Sequence, residues 1–351
     1  MRKWVLISLC SLCLCGEAQR KVIVDQDARG PASTDMQSIL VFLQAPEHAE
    51  VLGITLVAGD QFVKEQTQRT LRLVEIAGRT DVPVVPGAEM PLINSKEESD
   101  HWQKQYGPFN FRGAWDPRHY HPPDVVPPLA EGAPSPSLKP LNEHAALFIN
   151  RMVRKYPGEV TIWAGGPLTN IALALALDPE MPKLAKELVL MGASFYADRG
   201  GNTRNGRREF NWWFDPEAVR MVMKAPWKRI VITPVDISIK TSFSSELKAR
   251  IAKSSTPVAQ YHAKFAGGSF MWDEISAIAW LDPSIITKER DMWVNIDTGH
   301  GIGYGETAFF EGDVKEMPTW LWGRATVQFD LDTKRFYDKY VELMTRPPVK
   351  R

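Results

Sequence analysis

Short runs rich in β-branched residues alternate with amphipathic segments along most of this chain. Lys21–Val24 is followed by Ser38–Leu43, Val51–Ala58 by Val63–Ala77, Val160–Ala164 by Leu168–Leu177, and Leu188–Met191 by Pro216–Met223, with Ile230–Thr233 beyond. Strand–helix alternation of this kind predicts an α/β fold, a mainly parallel central sheet flanked by helices in a Rossmann-like topology. Ligands of such sheets sit outside the carboxyl ends of the strands, which is where functional residues are to be sought. A closing helix is expected near Arg335–Met344.

The 351 residues would allow two domains, but α/β folds often exceed 250 residues around one sheet, so one large domain over 19–351 is expected. Lysines and arginines number 42 and acids 42, so no net field attracts a polyanion, and nucleic acid is not an expected partner. Residues 1–18 run from Met1-Arg2-Lys3 through an apolar stretch, Trp4–Cys15, to Gly16-Glu17-Ala18, the order of a secretory signal peptide cleaved after Ala18. Export to the periplasm or medium follows as an expectation. Lipid anchoring is less favoured because Leu12 and Leu14 precede Cys13 and Cys15 where small residues are wanted. All three cysteines fall in this leader, so the mature chain would use neither disulfides nor thiol chemistry. No later stretch approaches the twenty apolar residues of a membrane span.

From about Asn94 to Pro140 the alternation stops in a segment rich in proline, glycine and aromatic residues, read as an irregular insertion able to overhang a site. Trp212-Trp213-Phe214 offers aromatic walls for a pocket, with at least one of the three expected in the core.

The first strand leads into Asp25-Gln26-Asp27, where alternation sets the two acids on one side, and Asp35 opens the next helix. Three carboxylates converging at the end of a parallel strand repel one another unless a cation or protons neutralise them. A hard divalent ion such as calcium, which takes carboxylate and carbonyl oxygens, is one solution. Helix capping by Asp35 and turn formation by the other two is the alternative on these residues alone.

The stretch Val24–Asp27 through Thr34–Leu40 resembles the N-terminal signature of the inosine-uridine nucleoside hydrolases. Further blocks resemble that family in the same order: Gly53–Asp60, Ala77–Val84, Gly165-Gly166-Pro167-Leu168-Thr169-Asn170, Leu190–Ala193, Glu209-Phe210-Asn211, Asp215–Ala218 and Trp272-Asp273. The resemblance implies a calcium ion held by Asp27, Asp35, the Gly165 carbonyl and Asp273. It further implies Asn202, Glu209 and Asn211 on the ribose, with Asp25 as an acceptor either behind these groups or adjacent to the substrate, and an assembly of dimers or tetramers. The implied activity is hydrolysis of the N-glycosidic bond of ribonucleosides, with a small nucleoside or sugar as the partner. Two positions depart from the pattern. Thr34 stands where the family has its general base, after a loop about three residues longer within Ala28–Ser33, and Trp272 stands where some members carry a histidine toward the leaving base. Neither side chain titrates near neutrality. Asp60 replaces the usual asparagine after Val-Ala-Gly and is the candidate to supply the missing carboxylate. The alternatives are a calcium-dependent nucleoside- or sugar-binding protein without turnover, and a hydrolase of another glycoside.

Overall fold

The structure, a computed structural model, describes residues 19–203, 207–312, 317–318 and 321–348. The expected leader, residues 1–18, lies outside the described residues. The β-branched run Val22-Ile23-Val24 builds strand β1 (Arg20–Gln26), followed by α1 (Thr34–Leu43), β2 (Ala49–Leu56), α2 (Val63–Ile76) and β3 (Val84–Pro86). After α3 (Lys96–Tyr106) come α4 (Ala145–Lys155), β4 (Val160–Ala164), α5 (Thr169–Leu177), α6 (Met181–Leu184) and β5 (Glu187–Met191). Next follow α7 (Phe210–Phe214), α8 (Pro216–Met223), β6 (Ile230–Thr233), α9 (Val235–Ser238), α10 (Ser245–Ala252), α11 (Pro257–Phe265) and α12 (Trp272–Leu281). The chain closes with β7 (Ile286–Ile296), β8 (Thr307–Glu311), β9 (Gly323–Leu331) and α13 (Thr333–Thr345).

Among the described residues the strands form one nine-stranded sheet in the order β3-β2-β1-β4-β5-β6-β9-β7-β8. Pairing is parallel from β3 across to β9, and β7 runs antiparallel to both β9 and β8. Strand order reverses between β1 and β4: β2 and β3 build outward on one side, β5 and β6 on the other. That reversal opens a crevice at the carboxyl ends of these two strands. Its floor is fixed by register, since Asp25 pairs with Ala164 and the Gly165 N–H donates to the Asp25 carbonyl at 2.9 Å.

The sheet is buried on both faces. Val22 and Val24 join one hydrophobic cluster with α1 and α12, while Ile23, pointing the other way, joins a second cluster with α4 and α5. Nine of the ten residues of α1 are buried, because this helix lies between the sheet and α12. Each fully buried aliphatic side chain there contributes about 2 kcal/mol. No helix among the described residues is long and apolar enough to cross a membrane.

The insertion is less irregular than its composition suggests. Ser95 caps α3 by accepting the Glu98 N–H at 3.1 Å, and Ser95-Lys96-Glu97-Glu98 is the Ser-x-x-Glu pattern that starts helices. The prolines that crowd the segment beyond α3 mask that signal in the sequence. The insertion is clamped to α2 where Arg69 bridges Glu65 and Glu131 and the His121 ring meets Glu65.

Helix α11 docks on α13 through His262, whose Nδ1 lies 2.9 Å from the Val258 carbonyl and Nε2 3.1 Å from the Tyr340 hydroxyl. Burial pushes this imidazole down to about 4. The unfolded chain takes up that proton near pH 6.5, so the stability this neutral ring gives is complete above that pH and is lost as pH falls toward about 4. The loss across that window is about 3 kcal/mol. Urea unfolding of wild type against His262→Gln should show the difference shrinking with acidity; parallel pH curves would clear His262 of the effect.

Candidate active site at the strand-order reversal

A cavity of about 600 Å³ opens at the crevice. Asp27 follows β1, Asp60 follows β2 and Gly165 follows β4, so three consecutive strands of the sheet deliver them to one place. Asp35 and Asp273 sit in the first turns of α1 and α12, two helices packed on each other, whose N-terminal dipole ends favour carboxylates.

The acids are linked directly. Asp27 Oδ2 accepts the Asp60 backbone N–H at 2.7 Å. Asp35 Oδ2 accepts the Arg29 N–H at 2.8 Å and the Ser33 hydroxyl at 3.1 Å. The Asp35 and Asp273 carboxyl groups also act on each other, an arrangement that favours a proton between them or a cation in its place. Burial raises the pKa of all four; the charges of Asp60 and Asp35 add to the rise at Asp27, that of Asp35 at Asp60, and those of Asp35 and Glu274 at Asp273. Close packing fixes Asp27, since a Cβ on Gly59 would lie 2.1 Å from its Oδ2.

The ribose-type contacts predicted from sequence lie on the same cavity wall. Asn202 accepts the Phe111 N–H through Oδ1 at 2.9 Å and keeps a buried Nδ2 without a partner. Glu209 caps α7, accepting the Asn211 N–H at 2.8 Å and the Trp212 N–H at 3.0 Å, while burial pushes its carboxyl up to about 7. Asn211 Nδ2 donates to the Gly165 carbonyl at 2.7 Å.

Two expectations need correction. Asp25 does not reach the cavity: it is fully buried beneath it, accepting from the Thr55 hydroxyl at 2.5 Å and Asn170 Nδ2 at 2.8 Å. Its side chain supports the floor instead of touching a substrate. Trp212, Trp213 and Phe214 are core and wall no pocket, because the short α7 turns inward and stacks Phe214 on Trp115 at 4.3 Å between ring centroids. Phe210 and, from the insertion, Phe111 face the cavity in their place. Thr34 lines the cavity, and its hydroxyl donates to Glu274 at 2.5 Å and accepts the Asp273 N–H at 3.1 Å, tying α1 to α12. Glu274, buried and pushed up to about 8 chiefly by burial, carries no mark in the sequence because an acid in a first helical turn is commonplace. Trp272 lines the cavity edge-on to Phe270 at 5.1 Å.

As they stand, no three His, Cys, Asp or Glu side chains among the described residues are gathered tightly enough to enclose a metal. The donor set nevertheless fits a hard cation. Asp273 Oδ1 is buried without a hydrogen-bond partner, and the Asp35–Asp273 contact is one a cation would relieve.

A family model described as inosine-uridine preferring nucleoside hydrolase matches residues 22–338. Uridine nucleosidase 1 of Arabidopsis thaliana is 31% identical over 308 residues, spanning 83% of this chain and 82% of its own. The pyrimidine-specific ribonucleoside hydrolase RihA of Photobacterium profundum is 28% identical over 337 residues, spanning 92% and 98%. Among solved structures, a plant nucleoside hydrolase, the PpNRh1 enzyme, superposes with a TM-score of 0.72 at 23% identity over 93% of this chain and 99% of that one, a likeness of fold.

Proposed function

The chain belongs to the inosine-uridine preferring nucleoside hydrolase family and is a hydrolase of N-glycosyl bonds, and from that premise we propose that it splits ribonucleosides into base and ribose with one calcium ion. The support is the meeting of Asp27, Asp35 and Asp273 with the Gly165 carbonyl in a cavity that also holds Asn202, Glu209 and Asn211. Those four oxygen donors would hold the ion. When bound, calcium supplies a divalent charge that grips vicinal hydroxyls and acidifies water. Asn202 offers its unpartnered amide to a sugar hydroxyl. Glu209 accepts from three backbone N–H groups and keeps a lone pair on Oε1 beyond them. Asp60 faces the cavity beside Asp27 and takes the proton of the attacking water, a task closed to the Thr34 hydroxyl. The aromatic rings of Phe111, Phe210 and Trp272 shield the sugar from bulk water.

Incubation with a panel of ribonucleosides, followed by assay of reducing sugar, should show release that a calcium chelator stops; release unaffected by chelation would remove calcium from the proposal. A linked result is expected in thermal unfolding. Carboxyls whose folded pKa is raised bind more protons folded than unfolded, so the stability of the metal-free protein falls as pH rises through that range. Protons and calcium compete for the same oxygens. Calcium should therefore raise Tm more at about pH 8 than at about pH 5.5; an equal or reversed effect counts against these ligands.

A further inference from the structure

Resting on the N-glycosidase reading, we propose that Arg29 holds the departing nucleobase and neutralises the negative charge that forms on it as the glycosidic bond breaks. Arg29 belongs to the loop Ala28–Ser33 that leads from β1 to α1. Its backbone is fixed at both ends: the N–H donates to Asp35 Oδ2 at 2.8 Å, and the carbonyl accepts the Ser33 hydroxyl. Its charge also eases the ionisation of Asp35 and Asp60, and its planar donor edge is left for a ligand. The guanidinium lies over the Phe111 ring, 5.6 Å from the centroid, and is in direct ion-pair contact with no carboxylate among the described residues. Phe111 is in turn held through its N–H by Asn202 Oδ1, so cation and ring sit together at the margin of the sugar contacts.

Among the described residues lining the cavity, Arg29 is the one cationic side chain, and no histidine or lysine accompanies it. Trp272, which lines the same cavity, can donate its indole N–H but cannot give up a proton. Departure without prior protonation puts both electrons of the C1′–N bond on the base, while the water oxygen bonds to C1′ and its proton goes to Asp60. The anionic base then needs a fixed positive charge until solvent protonates it after release. A guanidinium stays charged at every working pH, presents a planar donor edge to a ring carbonyl conjugated with the breaking bond, and stacks well on aromatic faces. Uracil- and hypoxanthine-type bases, whose carbonyl spreads that charge, are the groups it would serve.

The test compares wild type, Arg29→Met and Arg29→Lys, each calcium-loaded, on uridine, inosine and 4-nitrophenyl β-D-riboside, whose phenolate leaves without help. Arg29→Met should lose about 10- to 100-fold more in kcat on uridine and inosine than on the nitrophenyl riboside, where any loss reports only the Arg29 charge acting on Asp60. Arg29→Lys, which keeps the charge but loses the planar fork, should fall between. Equal loss on all three substrates, or no loss on any, overturns the proposal. If wild type hydrolyses none of them, the N-glycosidase reading fails separately, and calorimetry with uracil and hypoxanthine decides for Arg29. Binding weakened about tenfold or more in Arg29→Met sustains the contact, and unchanged binding overturns it.

Discussion

Asp273→Asn should lower kcat/KM on ribonucleosides by about 1,000-fold or more and abolish the rise in Tm caused by calcium. The substitution is nearly isosteric. It leaves the backbone N–H that donates to Thr34, so α12 stays tied to α1, and removes only the negative charge behind a buried oxygen that no protein group satisfies. In the metal-free protein that change relieves repulsion, since Asp35, Glu274 and Asp27 all press on the Asp273 carboxyl. The variant should therefore be at least as stable as wild type without calcium and less stable with it. This crossing of stabilities distinguishes a lost ligand from a damaged fold. Steady-state kinetics at saturating calcium and paired melting curves measure both; a calcium response within about twofold of wild type would detach Asp273 from the site.

The second large effect is expected from Asp60→Asn, a loss of about 100- to 10,000-fold in kcat with little change in KM. Asparagine retains the backbone N–H that holds Asp27 Oδ2 at 2.7 Å, so the structural part of this residue survives and the proton acceptor alone is lost. An unchanged kcat would reduce Asp60 to a turn residue after β2. Thr34→Ala provides the contrast: its hydroxyl is engaged with Glu274 and the Asp273 N–H, so its removal should cost stability more than turnover chemistry.

Much of the site is legible in the sequence because it is built from local grammar. Asp27 and Gly165 stand directly after strands and Asp60 in the turn that follows β2, while Asp35 and Asp273 stand in first helical turns. Position at a strand end or helix start can be read from a window of a dozen residues. The start of α3 is equally local, with Ser95 and Glu98 in a capping pattern, but the neighbouring prolines disguise it. Other features have no local sign. Trp212, Trp213 and Phe214 look as suited to a pocket as to a core until Phe109 and Trp115, from the insertion, arrive to bury two of them.

By itself the sequence determined the α/β alternation, the parallel sheet it demands and the order in which the acidic residues appear, since backbone period and residue type act over short range. Tertiary structure alone decided that Asp25 lies under the floor while Asp27 faces the cavity, that Thr34 meets Glu274, and that the Arg29 guanidinium rests over Phe111. Thr34 and Glu274 are 240 residues apart, and only the packing of α1 against α12 brings them within hydrogen-bonding distance. Contacts of that kind depend on which faces the folded layers bury against each other, a property of the assembled sheet and helices that no segment carries alone.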